Sequence, residues 1–388
     1  MKIGIVLYPT YGGSGVLATE LGKALARKGH QIHFITYSQP VRLGSFKENI
    51  FYHEVAISNY PLFDYQPYET ELTSKLVDVV KYEKLDLLHV HYAIPHASAA
   101  YLAKQILLAQ GINIPFITTL HGTDITLVGK DKSFEPVITF CINQSDAVTA
   151  VSESLKEDTY YHFDTHRPIE VIPNFVGICP DDKPINMEFR RKYANDDERI
   201  LCHASNFRPV KRVEDVVRVF YEVNKEIPSK LLLIGDGPDR HNVERLCRDL
   251  GTCNRVITVG KIRDAANLMK ISDLFLLPSE TESFGLAALE AMSVGVPVVS
   301  SNTGGIPEVN KHGFSGYLSD VGDISDMALN AIKILSDNET LMQFKQQAKI
   351  RAKLFDIDII LPQYEALYKE VVDRSKKAFV EKYGNLGI

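Results

Sequence analysis

Two carboxylates eight residues apart, Glu282 and Glu290, bracket the stretch "ESFGLAALE". Between them a Ser283-Phe284-Gly285 turn opens a small-residue helix at Leu286, and a valine-rich run follows. The first N–H groups of a helix have no partner within it and carry a partial positive charge, so such a turn is suited to an anion. Glu290 lies about two turns inside the helix, roughly 12 Å from Glu282 if the whole stretch were helical. That is near the span of a nucleotide sugar. One acid can then meet hexose hydroxyls and the other ribose hydroxyls, with the diphosphate on the helix N-terminus. A second stretch, "SNFRPVKRVED", offers Asn206, Arg208 and Lys211 at the carboxyl end of a strand, three donors suited to the same diphosphate.

The elements that position these loops repeat one plan. Near-continuous apolar runs at "KIGIVLY", "QIHFIT", "LDLLHVHY", "IPFITTLHG", "DAVTAV" and "IEVIPN" have the composition of parallel strands covered on both faces. A Pro- and Asp-rich linker, "FVGICPDDKPIN", interrupts the pattern. It then restarts with "RILCHAS", "KLLLIGDGP", "RVITVGK", "DLFLLPS", "VPVVSSN" and "SGYLS". One helix after Lys211 is expected to bury Val213, Val216, Val217 and Phe220, and another Val243, Leu246, Cys247 and Leu250. The expected architecture is α/β: two Rossmann-like, doubly wound parallel-sheet domains, 1–174 and 175–365, facing a cleft at the strands' carboxyl ends. A C-terminal helix over about 366–388 is expected to pack back onto the first.

The chain has 388 residues, 45% hydrophobic and 24% charged, with a net charge of −6, which gives no electrostatic basis for binding nucleic acid or an anionic membrane. Five scattered cysteines (141, 179, 202, 247 and 253) form no CxxC pair and fit a reducing cytoplasm. No apolar run reaches the ~20 residues of a membrane span, and the N-terminus enters a strand directly, with no cleavable leader expected. "TYGGSGV" is not GxGxxG and the following strand carries no ribose-binding acid, so a nicotinamide cofactor is disfavoured. Gly12-Gly13-Ser14-Gly15 is read either as packing or as a backbone cradle for a phosphate or an acceptor. His89 and His91 share a strand face, with His96 nearby, but no third ligand or carboxylate shell is evident, so no metal site is expected.

Taken together, the GG loop, "LHGTD", "VSES", "VIPN", the lysine loop, E-x7-E and "GGIPE" resemble the retaining glycosyltransferases of family 4, across nearly the whole chain. The resemblance implies the two-domain GT-B fold and transfer without metal or cofactor. Implied donor-binding residues are Gly13, Asn206, Arg208, Lys211, Ile262, Glu282, Ser283, Phe284, Gly285, Leu286 and Glu290. Implied catalytic residues are Lys211 for leaving-group charge, Glu282 for orienting the sugar, and His121 beside the reacting carbon. Asn206 stands where the family's phosphate loop usually carries arginine, which removes one fixed cation; Arg208 is a candidate substitute.

A narrower resemblance, on "YPTYGGSGVLATELG", "HVHYAIPHA" and "TLHGTDITLVG", is to family members that glycosylate L-malate. It implies UDP-N-acetylglucosamine as donor and malate as acceptor. A dicarboxylate needs cations and hydroxyl donors, and Ser14, Tyr92, Thr119, Thr123 and Arg208 are the candidates. The aromatic, mildly acidic segment 46–72 favours a small soluble acceptor over a lipid surface. The nearest alternative is a relative using another small acceptor such as an inositol phosphate. More distant ones are an epimerase or phosphorylase of the same fold, and a two-lobed solute-binding protein. Oligomeric state is left open, with a homo-oligomer compatible.

Overall fold

The computed structural model describes all residues except 11, 45–47, 57–66, 128–130, 178–184, 263–264 and 385–388. The chain divides into two compact units, Met1–Asn174 with Ile357–Ile388, and Phe175–Asp356. Much of the linker, at 178–184, lies outside the described residues, as does Cys179. Of the other cysteines, 141, 202 and 247 are buried thiols and Cys253 is exposed.

The first unit holds a seven-stranded parallel sheet. Its strands are β1 (Lys2–Val6), β2 (Gln31–Thr36), β3 (Ile50–Glu54), β4 (Leu87–His91), β5 (Phe116–Leu120), β6 (Ala147–Ala150) and β7 (Ile169–Val171), in the order β3-β2-β1-β4-β5-β6-β7. Every residue of β4 and β5 is buried, as their unbroken apolar runs require of strands covered on both faces. The second unit holds six parallel strands: β8 (Arg199–Ser205), β9 (Ser229–Gly235), β10 (Val256–Gly260), β11 (Leu274–Leu277), β12 (Val298–Ser301) and β13 (Gly316–Ser319), ordered β10-β9-β8-β11-β12-β13.

Both orders change direction once, between β1 and β4 in the first sheet and between β8 and β11 in the second. Loops leaving the carboxyl ends at such a point diverge and leave a crevice, the usual ligand position of doubly wound sheets. Here they are the loop after β1, which carries the GG turn, and that after β4, which carries Tyr92. In the second unit they are the lysine loop after β8 and the Glu282 loop after β11.

Helix Val213–Glu226 buries Val213, Val216, Val217 and Phe220 as its spacing predicts. Helix Arg240–Asp249 buries Val243, Leu246 and Cys247, while Leu250, just beyond its end, is only partly buried. The C-terminal helix runs Ile357–Tyr383, starting well before 366 and passing through Pro362. Buried Ile357, Ile360, Leu361, Tyr364, Leu367, Tyr368, Val371 and Val372 recur at helical spacing, so packing outweighs the one hydrogen bond that the proline removes. The helix belongs to the first unit, where Glu365 meets His30 at 3.0 Å and Asn113 donates to Ser375 Oγ at 2.9 Å. Residues 357–365 therefore lie with the first unit and not, as expected, with the second. Strand β3 has no counterpart among the expected strands. It is a half-exposed edge strand with Phe51 42% exposed, so it lacks the apolar continuity that marks the others.

Candidate active site

In the second unit, β8 ends in a tight turn. Phe207 is fully buried with φ 39°, and it pins the loop while Asn206 and Arg208 on either side are exposed. Ser205 braces it, accepting from Phe207 N at 3.2 Å and bonding His203 Nε2 at 2.8 Å. A short helical turn, Pro209–Lys211, follows, and Arg212 in the left-handed region (φ 48°) redirects the chain into the next helix. Glu280 N donates to Val210 O at 2.9 Å, tying this turn to the loop after β11. The side chains meet there: Lys211 Nζ lies 2.5 Å from Glu282 Oε1, which also accepts from Ser279 Oγ at 3.0 Å.

The stretch holding both acids is not helical throughout. Gly285 (φ 93°) breaks the backbone, and the helix runs only Leu286–Ser293, so the 12 Å estimate does not apply. No acid stands in the first turn of that helix, and Glu290 is its half-buried fifth residue. The first N–H groups of helix Leu286–Ser293 have no partner within the helix, a geometry suited to an anion. Phe284 is 2% exposed and its ring packs edge-on against Phe355 at 5.6 Å, which leaves only its backbone for any ligand contact. Gly305 N donates to Glu282 O at 2.9 Å, and a Cβ on Gly304 (φ 53°) would sit 2.0 Å from that oxygen. The "GGIPE" glycines thus let one loop lie directly on the Glu282 turn. Arg208 has no ion pair among the described residues, and Ile262, just beyond β10, is half-buried.

In the first unit the switch point joins Ser14 Oγ to Tyr92 OH at 2.6 Å. Gly13 is exposed at the start of helix Gly13–Arg27, free of side-chain caps, whereas a Cβ on Gly15 would lie 2.3 Å from Tyr8 O, so Gly15 is needed for packing. Tyr92 has φ 91°, a conformation that non-glycine residues hold only where the surroundings enforce it. Its N–H donates to Thr119 O at 2.9 Å, and its ring lies 5.3 Å from that of His121. Thr123 is exposed.

Thr119 corrects the acceptor assignment. It is 1% exposed, and its hydroxyl is engaged by His89 Nε2 and by Thr149 Oγ1, each at 2.7 Å. Strand β5 is covered on both faces, so this hydroxyl has no open side.

The histidines of "HVHYAIPHA" are hydrogen-bonded one by one. His89 Nδ1 meets Tyr368 OH at 2.7 Å, His91 Nδ1 meets His121 Nε2 at 2.8 Å, and His96 Nδ1 donates to His91 O. Burial pushes His89 and His121 down to about 3 and His96 to about 4, so all three are neutral at pH 7. Asp124, within "HGTD", was not singled out as a site residue. It is 2% exposed and accepts from Ala93 N at 2.8 Å and Gly122 N at 3.2 Å, clamping the His121 turn to the Tyr92 segment. Burial outweighs those backbone donors and raises its carboxyl to about 6. Its position between two glycine- and histidine-bearing loops is the signal that could have marked it.

One group among the described residues, His33, His53 and Glu83, brings potential metal-ligand atoms within 4.8 Å of one another. The two imidazole nitrogens stand 2.9 Å apart. Two nitrogens on one tetrahedral ion lie about 3.3 Å apart, so this is a hydrogen-bonded pair and not a preformed metal site.

Two family models match the chain: "Glycosyltransferase Family 4" over residues 11–178 and "Glycosyl transferases group 1" over 185–351. The N-acetyl-alpha-D-glucosaminyl L-malate synthase of Bacillus anthracis is 46% identical, over 97% of this chain and 98% of that protein. The D-inositol 3-phosphate glycosyltransferase of Thermobispora bispora is 25% identical, over 94% of this chain and 91% of that protein. Among solved structures, a glycosyltransferase from Rickettsia africae superposes with a TM-score of 0.78 at 22% identity, covering 96% of this chain and 98% of that one. Anabaena HepE, solved in complex with UDP-glucose, gives 0.77 at 21% identity over 95% and 100%. With two parallel-sheet Rossmann-like units and family models matching each half, the chain belongs to glycosyltransferase family 4 and has its GT-B fold.

Proposed function

We propose that this enzyme transfers N-acetylglucosamine from UDP-N-acetylglucosamine to the hydroxyl of L-malate with retention of the α-configuration. The observation that carries the reading is 46% identity, over almost the full length of both chains, to a relative whose name states that product. The Lys211–Glu282 cluster and the uncapped start of helix Leu286–Ser293 support it, because together they can hold a leaving diphosphate without a metal ion. Six groups of the second unit bind the donor in this reading: Asn206, Arg208, Lys211, Glu282 on the sugar, the Ser283–Leu286 backbone, and Glu290 on the ribose, with Ile262 as a further contact. Ser14, Tyr92 and Thr123 of the first unit receive the acceptor.

The C1–phosphate bond breaks as the malate oxygen bonds C1 on the same face, and the hydroxyl proton passes to the departing diphosphate. Lys211 and the helix N–H groups stabilise charge that grows on that diphosphate, so they favour the transition state over the ground state. No cofactor enters the scheme. The reaction is placed in the cytoplasm, and among the described residues no helix is long and apolar enough to cross a membrane. The test is UDP release from UDP-N-acetylglucosamine across a panel of hydroxy acids and polyols. Release with malate and not with inositol phosphate is expected. The inositol phosphate relative is the reason that compound is the rival acceptor.

A further inference from the structure

We infer that His91 is a positioning residue that fixes His121 as the tautomer carrying its proton on Nδ1, so that His121 acts as a hydrogen-bond donor and not as a base. The inference rests on the glycosyltransferase reading only for what His121 donates to, namely an oxygen of the sugar or acceptor.

His91 is 2% exposed and its ring lies against two other imidazoles, those of His89 and His121. Its Nδ1 faces His121 Nε2 at 2.8 Å, and its Nε2 is buried with no partner. Two neutral rings can place just one proton in the bond they share, which leaves two arrangements. In the first, His121 Nε2–H donates to His91, whose own proton must then sit on Nε2 as a buried N–H with no acceptor. In the second, His91 Nδ1–H donates to His121 Nε2, and the unpartnered atom is a bare lone pair. Buried N–H groups without an acceptor are rarer than under-used acceptors, because a stranded donor forfeits its full solvation. The second arrangement is favoured, and it obliges His121 to carry its proton on Nδ1.

The neighbouring His96 is fixed by its own bonds. His96 Nδ1 bonds a carbonyl, that of His91, and a carbonyl only accepts, so His96 must be the donor there. That leaves His96 Nε2 free to accept from Tyr68 OH at 3.4 Å. Burial keeps the rings neutral at pH 7. No hydrogen bond engages His121 Nδ1 among the described residues, it is not among their fully buried unpartnered atoms, and the residue is half-buried. The strand register explains how a sequence achieves this: His91 and Thr119 are paired across β4 and β5, which sets His121 two residues further on beside the His91 ring.

The tautomer is read directly by long-range ¹H–¹⁵N correlation on the full chain labelled with ¹⁵N-histidine at pH 7.5, with His121 assigned by its loss in His121→Gln. A protonated Nδ1 and a bare Nε2 on His121 are expected; the reverse overturns the inference, whatever the enzyme's substrate proves to be. Two substitutions add a kinetic readout. His91→Gln keeps an N–H donor and should stay near wild-type turnover. His91→Phe lacks the donor and should lower kcat by about 10- to 100-fold, the scale known for partners that orient metal-binding histidines, with donor KM little changed. Equal turnover of the two variants contradicts the inference. If His91→Phe does not fold, the wild-type spectrum still decides. A spectrum as expected in a protein that ignores malate leaves the tautomer assignment standing and removes the proposed acceptor.

Discussion

Lys211 and Glu282 form a 2.5 Å ion pair, joining the loop after β8 to the loop after β11 across the point where the second sheet changes direction. Their side chains are 22% and 13% exposed, so the pair is partly shielded from solvent. The lysine's charge is already matched before any ligand arrives. In the proposed function a diphosphate would compete with Glu282 for Lys211, leaving the carboxylate to meet sugar hydroxyls.

Lys211→Ala should lower turnover by ~10²–10³, the typical cost of removing one preorganised charge partner, while far-UV circular dichroism stays unchanged. Normal turnover in a folded variant would move the diphosphate site elsewhere.

Glu282→Gln and Glu290→Gln should fail differently. Removing Glu290 should weaken both the donor and free UDP by roughly ten- to a hundredfold, since both carry the ribose. Removing Glu282 releases Lys211, so affinity for free UDP should hold or rise while transfer falls. Isothermal titration of both variants with both ligands decides it; equal loss of UDP affinity refutes the division of roles.

Gly304→Ala should impair donor binding as well as stability. The added methyl would lie 2.0 Å from Glu282 O, at a residue with φ 53°, so the Glu282 turn must move. Wild-type UDP-sugar affinity in this variant would show that the turn's position is not critical.

Acid should destabilise the first unit before the second. In the first unit His33 and His96 are lowered to about 4, and His89 and His121 to about 3. In the second, His203 is lowered to about 4. A base with a depressed folded pKa contributes stability above its unfolded value of 6.5 and loses it as pH falls toward the folded value, at about 1.4 kcal/mol per pH unit for each group. Asp124, raised to about 6, works in the opposite sense, since its buried charge is relieved as pH drops. His53 and His91 are lowered as well, by burial, and Glu170 is raised by burial like Asp124, so six histidines against two opposing carboxyls leave the first unit the more acid-labile. Calorimetry at pH 7.5 and 5.0, with hydrogen exchange locating each transition, should show its melting fall further. Equal shifts would contradict this.

Much of the fold is legible in the sequence because buried parallel strands carry long apolar runs: β4 and β5 stand out for that reason. β3 does not, since this edge strand has a single buried residue, Ile50, and no long apolar run. Both members of the Lys211–Glu282 pair can be named from their loops, but their contact depends on β8 lying beside β11, a tertiary fact that no local pattern carries. Thr119 shows the opposite error. A hydroxyl near a strand's carboxyl end reads as a ligand donor, yet its partners His89 and Thr149 come from the two flanking strands and leave it no free face. Part of the segment read as favouring a soluble acceptor, at 57–66, lies outside the described residues.

Chelator should leave turnover intact, because the lysine loop and the helix N–H groups supply the positive potential that a metal ion supplies elsewhere. Activity lost to chelator and restored by magnesium or manganese would show that these groups are not sufficient.

The most direct test is a proton NMR spectrum of the product formed from UDP-N-acetylglucosamine and L-malate. An α-linked anomeric proton appearing in step with one equivalent of released UDP is the predicted result. A β-linked product, or release of UDP with inositol phosphate and none with malate, would contradict the account.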